Sequence, residues 1–531
     1  MSTIRRRDPP EWLNQVSQAL GEALPRLYGE PPDALLGELI GALTRAMERG
    51  ELAIDFEGEA PEGVQASGWP EAHLLALRAS ALSLPPHGPL ALEGSLLRWR
   101  RWQQLRHEVI EELTARAHRH TPLSGWRPPG GVRDGQQRLA IRTALERDLL
   151  VLAGGPGTGK TSTVAQILKA VALQQDEPRI HLAAPTGKAA ARLRAATEGR
   201  WPCTTLHQLL ESRGEGEFRR NRNRPLKLDV LVVDEVSMVD LGLMGALLRA
   251  LPGEARLVLV GDPAQLPPVA PGAPLQDLLQ GDLQPLLQPA VVTLKTAYRN
   301  AGAIAQVASS LREHIWGRGA PAGDALALLR PQLSELGSAD NLHWQEAQRG
   351  CLPAVVVHHL QGHLQDLAEA ARLCIPGTDR EWQGLVKIRD GLLVLTPRHR
   401  GFWGVEAVHR QLLGEASPSF VGQWPSGTPV LCTRNLHGLG LSNGDLGVVV
   451  VGQEQRWLVF GQEEPIWLHP SQLSGALEPA LALTVHKAQG SESKRVMVLL
   501  PEPEGADLRL LYTGLTRARE EAWLLTPLEG G

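Results

Sequence analysis

The sequence predicts an α/β protein in which parallel sheets follow a mostly helical N-terminal region. Short apolar runs alternate with helical segments at Leu149–Ala153, Ile180–Ala184, Val230–Val233, Leu257–Val260 and Val291–Leu294. Such continuous runs are typical of parallel strands, because helices cover both faces of the sheet. The same alternation returns near the C-terminus, at Leu392–Leu395, Leu481–Val485 and Val496–Leu500. We therefore expect a second sheet there.

The N-terminal region, residues 1–120, is expected to form a mostly helical domain. One of its helices is predicted over Leu96–Arg116. Residues 121–131 are rich in Pro and Gly and predict a linker. A first α/β domain is then expected over residues 132–305 and a second over residues 306–531.

A strand-and-turn segment at about residues 425–475 predicts a small β insertion in the second domain. Its turn, at residues 442–445, contains Asn443-Gly444, which is a strong hairpin signal. The expected strands are Pro429–Thr433, Gly447–Val451 and Trp457–Phe460.

The composition predicts a folded, soluble protein of about three or four domains rather than a disordered chain. The 531 residues are 43% hydrophobic and 21% charged, and 54 basic against 58 acidic side chains give a net charge of −4. The net charge of the chain therefore does not indicate a nucleic-acid partner. A local basic channel is still compatible with this net charge. The four cysteines form no C-x-x-C pair. No apolar stretch approaches the roughly 18 residues of a membrane span, so we expect a cytoplasmic protein without a membrane partner.

The clearest motif is G-x-x-x-x-G-K-[ST] at residues 154–161, between a predicted strand and a helix expected over Thr161–Leu173. Its glycines let backbone N–H groups face phosphate oxygens at a helix N-terminus. Lys160 is expected to bridge the β- and γ-phosphates of ATP, and the Thr161 hydroxyl to hold Mg²⁺. The predicted nucleotide-binding residues are Gly154, Gly155, Pro156, Gly157, Thr158, Gly159, Lys160, Thr161 and Ser162.

An acidic pair, Asp234-Glu235, directly follows the predicted strand Val230–Val233. Carboxylates at the C-terminal end of a parallel strand face the crevice where a nucleotide binds. Asp234 suits the role of holding Mg²⁺ through water, and Glu235 suits the general base for the attacking water. Such a pair can instead cap a helix, but its position after a P-loop favours the catalytic interpretation. These two motifs indicate a P-loop ATPase and leave open helicases, AAA+ machines, transporters and nucleotide kinases.

Further segments distinguish among these ATPases. They are Ala184–Arg192, Thr205–His207, Gly261–Val269, Thr296–Asn300, Leu483–Glu492 and Tyr512–Arg519. In order and separation they resemble the helicase motifs of superfamily I, over about three quarters of the chain. The resemblance implies two RecA-like domains with ATP in the cleft between them, and an SH3-like β insertion in the second.

The resemblance also implies roles for individual residues of the ATP site. Gln265 would contact the γ-phosphate or its water, and Arg299 and Arg517 would stabilise charge on the transferring phosphoryl group. Gln137 resembles the glutamine that recognises adenine in this superfamily, although its neighbour Gln136 leaves that register open. Arg517 and Arg519 are expected to lie on one helix.

Residues beside the ATP motifs are candidates for DNA contacts. Backbone amides, Thr and Lys after a strand suit phosphate contacts on a single strand of nucleic acid. The predicted DNA-binding residues are Thr186, Lys188, His207, Thr484 and His486.

Within superfamily I the sequence resembles the RecD family, the α subunits of bacterial exodeoxyribonuclease V. The resemblance rests on Leu395–Val405, Thr433–Asn435, Gly440–Gly447 and Thr484–Gly490. It implies 5′-to-3′ translocation on the 5′-ended strand of a duplex end, with RecB-like and RecC-like partners, in double-strand break repair by homologous recombination. The alternative is a stand-alone RecD-like helicase of repair or conjugation.

Two other interpretations follow from the sequence. The chain could be a scaffold in which ATP binding only regulates assembly, but the complete set of hydrolytic residues argues against this. The basic run at residues 219–227 could face DNA or a partner, or could simply be solvated. No carboxylate cluster indicates a nuclease, so the nuclease of such a complex is expected in a partner.

Overall fold

The computed structural model describes most of the chain, namely residues 11–123, 134–214, 216–280, 283–296, 302–317, 325–414, 421–452, 455–461, 464–473, 475–502 and 506–528. Most of the predicted linker at 121–131 lies outside these ranges, and so does Arg299. In the described part, no helix combines the length and hydrophobicity that a membrane span requires.

From residue 11 to residue 123, the structure shows four α-helices and a small antiparallel sheet. The helices are α1 (Glu11–Leu27), α2 (Ala34–Glu48), α3 (Glu71–Ala79) and α4 (Arg100–His118). The sheet has the order β1–β3–β2, formed by β1 (Ile54–Asp55), β2 (Leu90–Glu93) and β3 (Leu96–Trp99).

The single helix expected over Leu96–Arg116 was wrong at its start. Residues Leu96–Trp99 form β3, which pairs with β2 across the two-residue turn Gly94-Ser95. Gly94 has a φ of +61°, which suits the first position of such a turn. The buried side chain of Leu97 packs in the same apolar cluster as Leu90, so burial on the sheet outweighs the helical spacing.

The first large sheet has six parallel strands in the order β11–β4–β10–β9–β5–β6. Its strands are β4 (Leu149–Gly154), β5 (Ile180–Ala184), β6 (Cys203–Thr205), β9 (Val230–Val233), β10 (Arg256–Gly261) and β11 (Val291–Leu294). A separate hairpin is formed by β7 (Ser212–Gly214) and β8 (Glu217–Phe218). The helices of this region are α5 (Gly135–Glu146), α6 (Lys160–Gln174), α7 (Gly187–Ala196), α8 (Leu206–Leu209), α9 (Leu241–Ala250), α10 (Pro274–Leu279) and α11 (Gln284–Leu287).

Helices cover both faces of the first sheet. Leu149 and Val151 belong to a buried cluster that includes residues of α4 and α9. Leu150 and Leu152 belong to a second cluster that includes residues of α5, α6 and α7. This burial on both faces explains the uninterrupted apolar runs in the strand sequences.

The second large sheet has five parallel strands in the order β12–β21–β20–β13–β19. A five-stranded antiparallel sheet, in the order β17–β16–β15–β14–β18, is inserted between β13 and β19. The strands are β12 (Leu342–Ala347), β13 (Leu392–Thr396), β14 (Pro429–Cys432), β15 (Leu446–Gly452), β16 (Gln455–Phe460), β17 (Ile466–Leu468), β18 (Leu477–Pro479), β19 (Leu483–Thr484), β20 (Ser493–Leu499) and β21 (Ala518–Pro527). The helices are α12 (Ala303–Gly317), α13 (Ala325–Ser334), α14 (Ala354–Leu373), α15 (Trp382–Arg389), α16 (Val405–Leu413) and α17 (Leu508–Leu515).

The predicted α/β class, with two parallel sheets and a β insertion in the second, is confirmed. The domain boundaries at residues 120, 131 and 305 stay predictions. In both parallel sheets, the chain segments that follow the carboxyl ends of neighbouring strands meet at one edge, which positions the motifs described next.

Candidate active site

The P-loop joins β4 to α6. β4 ends at Gly154 and α6 begins at Lys160. Between them, Gly157 and Gly159 have φ angles of +71° and +85°. Residues other than glycine rarely adopt this backbone conformation, so the two glycines allow the loop to turn tightly into the helix N-terminus.

Lys160 folds back over this loop. Its Nζ donates to the carbonyl oxygens of Gly154 and Gly155 at 2.7 and 2.9 Å. Burial lowers the pKa of Lys160, although the carboxylates of Asp262 and Glu235 oppose that shift. The ammonium is therefore held at the point where the P-loop faces the acidic residues that follow β9 and β10.

Asp234 and Glu235 follow the C-terminal end of β9, and both are buried. Burial and the neighbouring Glu235 raise the pKa of Asp234 to about 6. Burial also favours the neutral form of Glu235, but the cations Arg192 and Arg517 outweigh it and lower the pKa of Glu235. The two adjacent carboxyl groups therefore have pKa shifts of opposite sign.

The second sheet contributes Arg517, which lies between α17 and β21 and is 3% exposed. Its Nε donates to the carbonyl oxygen of Thr513 at 3.1 Å, and its Nη1 to that of Ser491 at 3.4 Å. These contacts hold the guanidinium toward the P-loop side of the cleft, where it lowers the pKa of Glu235.

The prediction that Arg517 and Arg519 share a helix was wrong. α17 ends at Leu515, and Arg519 lies on β21 with an exposed side chain. Its Nε donates to Glu492 Oε2 at 2.9 Å. Arg517 precedes this strand and is buried, so the two arginines differ in their structural element and in their exposure.

A cavity of about 630 Å³ brings the two sides together. Its lining residues come from the P-loop, the acidic pair, α5, α7 and the second sheet. They are Asp134, Gln137, Pro156, Gly157, Thr158, Gly159, Lys160, Thr161, Ser162, Arg192, Ala196, Asp234, Glu235, Gln265, Glu492 and Arg517. Most of the predicted ATP-site residues therefore surround one space.

Two glutamines at the start of α5 have different environments. Asp134 caps the helix, accepting from the backbone N–H groups of Gln136 and Gln137 at 2.8 and 3.0 Å. The side-chain oxygen of Gln136 accepts from the backbone N–H of Lys295 at 2.8 Å. Gln137 instead lines the cavity, which favours the register in which Gln137 is the adenine-contacting residue.

The loop after β10 is held by side chains from the second sheet. Thr513 Oγ1 accepts from the backbone N–H of Leu266 at 2.9 Å. Gln489 Nε2 donates to the carbonyl oxygen of Leu266 at 3.1 Å. Tyr512 donates its hydroxyl to Asp262 Oδ2 at 2.7 Å. Gln265, the residue before Leu266, is buried, and among the described residues its Oε1 has no hydrogen-bond partner.

Sequence reasoning missed Arg192 and Glu492 as cleft residues. Arg192 lies on α7 and hydrogen-bonds both Glu235 and Glu492. Each residue ends one of the motif segments, and their opposite charges were the available signal. Their distance of 300 positions along the chain hid the pairing.

Two predicted DNA-binding residues lie against the second sheet. Thr186 caps α7, accepting from the N–H of Ala189 at 3.3 Å. A Cβ placed on Gly490 would lie 3.2 Å from Thr186 Oγ1. Lys188 Nζ donates to Ser491 Oγ at 3.1 Å, and burial together with Arg389 lowers the pKa of Lys188 to about 8. The surroundings of both residues therefore depend on how closely the two sheets approach each other.

The other predicted DNA-binding residues lie on both sides of the cleft. His207 is exposed on α8, with its ring 5.9 Å from that of Phe218. Thr484 ends β19, and its Oγ1 accepts from the N–H of Lys487 at 3.3 Å. His486 is half-buried, and burial lowers its pKa. Their contact with DNA stays a prediction.

Three of the five basic side chains at residues 219–227 form local ion pairs. Arg220 and Arg224 lie 2.5 and 3.5 Å from Glu211, and Arg222 lies 2.5 Å from Glu108. This arrangement favours the interpretation of a solvated, internally paired surface.

Comparisons with known proteins agree with this geometry. A family model described as an AAA domain matches residues 137–271, and one described as a UvrD-like helicase C-terminal domain matches residues 479–525. The chain is 36% identical to the RecBCD enzyme subunit RecD of Mycolicibacterium smegmatis, over 93% of this chain and 90% of that protein. It is 34% identical to RecD of Mycobacterium tuberculosis H37Rv, over 94% and 89% of the two chains.

Similarity extends beyond the RecD subunits. The ATP-dependent RecD2 DNA helicase of Deinococcus radiodurans is 34% identical over 74% of this chain and 50% of that protein. A solved structure of two Pif1 helicases at forked duplex DNA matches 74% of this chain and 92% of its own, at 18% identity and a TM-score of 0.43.

The match to RecD subunits covers nearly the whole of both chains at more than 30% identity. The structure adds two parallel sheets that are RecA-like, with a P-loop and an acidic pair on one side of a cleft and a buried arginine on the other. The chain therefore belongs to the RecD family of superfamily I helicases and is an ATP-hydrolysing DNA helicase.

Proposed function

We propose that this helicase translocates 5′ to 3′ on the 5′-ended single strand of a duplex DNA end. It does so as one subunit of a RecBCD-type helicase–nuclease with RecB-like and RecC-like partners, in the bacterial cytoplasm. The complex acts in double-strand break repair by homologous recombination, and its nuclease belongs to a partner subunit.

The observation that carries the proposal of a complex subunit is the extent of the similarity. The RecD subunits match over 72–94% of this chain and 71–90% of their own length, whereas the RecD2 helicase matches over 74% of this chain and only 50% of its own length. A chain that acts within a RecBCD-type assembly accounts for this difference better than a stand-alone helicase of repair or conjugation.

For ATP, the cavity offers a fitting environment. It combines a P-loop with glycines at positive φ and the buried Oε1 of Gln265, which has no hydrogen-bond partner within the part of the chain that the structure describes. Lys160 would hold the β- and γ-phosphates and Gln137 the adenine. Thr161 would hold Mg²⁺ through its hydroxyl and Asp234 would hold it through water, since both supply the oxygen donors that Mg²⁺ prefers.

The hydrolytic step is assigned to four further residues. Glu235 accepts a proton from the attacking water, and Gln265 orients that water and detects the γ-phosphate. Arg517 stabilises the charge that develops on the phosphoryl group, from the second sheet. Arg299, which lies outside the described residues, is proposed to do the same.

Contact with DNA is assigned to residues that lie beside the cleft. Thr186 and Lys188 on α7 contact the segment Gly490–Ser491 of the second sheet. Movement of the sheets therefore changes the surroundings of these two side chains. His207, Thr484 and His486 are proposed to contact the same strand.

Two experiments test this proposal. Unwinding is measured on duplexes with either a 5′ or a 3′ single-stranded tail, and only the 5′-tailed duplex should be unwound. The tagged chain is also purified from its native host, where RecB-like and RecC-like subunits should co-elute with it. Preferential unwinding from a 3′ tail contradicts the polarity, and elution of a lone, active chain contradicts the complex.

A further inference from the structure

One guanidinium connects the two sides of the nucleotide cleft. Arg192, on α7, donates from Nη2 to Glu235 Oε1 at 2.6 Å and from Nη1 to Glu492 Oε1 at 2.9 Å. Glu235 lies two residues after β9 of the first sheet, whereas Glu492 directly precedes β20 of the second. Arg519 donates to the other oxygen of Glu492 at 2.9 Å. The four side chains therefore form a charged chain that crosses the cleft.

The position of Glu235 requires such support. Its backbone has a φ of +53°, in the left-handed region that side-chain-bearing residues rarely adopt. The backbone N–H of Glu235 donates to Asp234 Oδ1 at 2.9 Å, which anchors the main chain only. The hydrogen bond from Arg192 fixes one carboxylate oxygen, and the planar fork of arginine suits a link to two carboxylates at once.

We propose that Arg192 is a positioning residue that orients the Glu235 carboxylate for hydrolysis and makes this orientation depend on the second sheet through Glu492. The inference rests on the proposed role of Glu235 as general base. When the cleft opens, Glu492 leaves with the second sheet and the guanidinium loses one of its two anchors. Full alignment of Glu235 is thereby restricted to the closed cleft.

The test is steady-state ATP hydrolysis by the full chain with saturating single-stranded DNA. Arg192→Ala should lower kcat by roughly 10²-fold, the scale expected when a reacting group is misplaced, with little change in KM for ATP. Arg192→Lys should recover part of the loss, because the ammonium keeps the positive charge but lacks the planar fork of two nitrogens that reaches the two carboxylates. Arg194→Ala is the matched control, since Arg194 is exposed on the same helix, and it should hydrolyse ATP like the wild type.

A double-mutant cycle tests the link to the second sheet. The losses in kcat from Arg192→Ala and Glu492→Gln should be strongly non-additive, because both changes break the same connection. Additive losses would overturn the coupling. A raised KM with an unchanged kcat in Arg192→Ala would overturn the positioning role, since it would place the guanidinium on the nucleotide itself.

Glu235→Gln separates this inference from the function on which it rests. If Glu235→Gln hydrolyses ATP near the wild-type rate, the general-base assignment fails. If Glu235→Gln is inactive while Arg192→Ala keeps its kcat, only the positioning inference fails. Fluorescence titration with nucleotide establishes that each variant retains a folded P-loop.

Discussion

The two sides of the ATP cleft are built in different ways. The first-sheet side holds its groups by local structure: the P-loop turns through two glycines, and Asp234 accepts from the N–H of the next residue. The second-sheet side depends on long-range contacts, such as those from Thr513 and Gln489 to Leu266. Nucleotide binding can thus be complete on one side, while hydrolysis requires both sheets to meet.

This difference assigns distinct consequences to mutations on the two sides. Loss of Lys160, or of another P-loop group that holds the phosphates, should damage nucleotide binding and turnover together. Loss of a second-side residue should spare binding and lower the rate of hydrolysis, because its groups act only in the closed cleft.

The largest effect is expected for Lys160→Ala on the first side. The β- and γ-phosphates lose their main cationic partner, so DNA-stimulated ATP turnover should fall to background. Colorimetric phosphate release measures the rate, with Lys169→Ala on the same helix as control. Near-normal hydrolysis by Lys160→Ala would contradict the assignment of residues 154–161 as the ATP-binding P-loop.

Arg517→Ala should be nearly as damaging to hydrolysis, but for a second-side reason. Hydrolysis with saturating single-stranded DNA should fall by roughly 10³-fold, while nucleotide affinity weakens only modestly. Arg519→Ala, from an exposed strand position, should retain much more activity. If Arg519→Ala is the more damaged variant, or if Arg517→Ala stays within a few-fold of wild type, the assignment of Arg517 is wrong.

Tyr512→Phe probes the contacts between the sheets without touching the cavity lining. It leaves the buried carboxylate of Asp262 without the hydroxyl that donates to it. A hydrogen bond to a charged group contributes about 1.5–3 kcal/mol, so the melting temperature should fall by several degrees. Tyr28→Phe is the control, because the Tyr28 hydroxyl donates to His87 on an exposed surface. Equal shifts in the two variants would contradict a special role for the Tyr512 contact.

The smallest effect is expected for Arg222→Ala in the basic run. Its ion pair with Glu108 is exposed, and such pairs contribute about 0–1 kcal/mol. Affinity for single-stranded DNA, measured by anisotropy across a salt series, should therefore be unchanged. Lys188→Ala, at a predicted DNA contact, should weaken binding and reduce the salt dependence. A loss of salt dependence in Arg222→Ala would show that the run does face DNA.

The sequence allowed the central strands and the P-loop to be predicted closely, because both depend on local pattern. β5, β9 and β11 have the predicted bounds, because each is a short run made mainly of apolar residues. The start of α4 was missed because Leu96–Trp99 satisfies helical spacing and strand burial equally well.

Contacts between distant segments could not be predicted from such patterns. The pairing of Arg192 with Glu235 and Glu492 depends on how two sheets approach each other. The environment of Arg519 depends on where α17 ends. The pattern of apolar residues does not mark that end. Only the packed structure fixes these positions.

The contacts to Leu266 have a consequence for mutational tolerance. Thr513 and Gln489 bind its main-chain N–H and C=O groups, which every residue except proline presents in the same form. Position 266 can therefore exchange one apolar side chain for another of similar size while the junction between the sheets persists. The junction is vulnerable instead at positions 489 and 513, where the side chains make the bonds. The side chain at position 266 can therefore vary while the hydrogen bonds from Thr513 and Gln489 to its main chain stay the same.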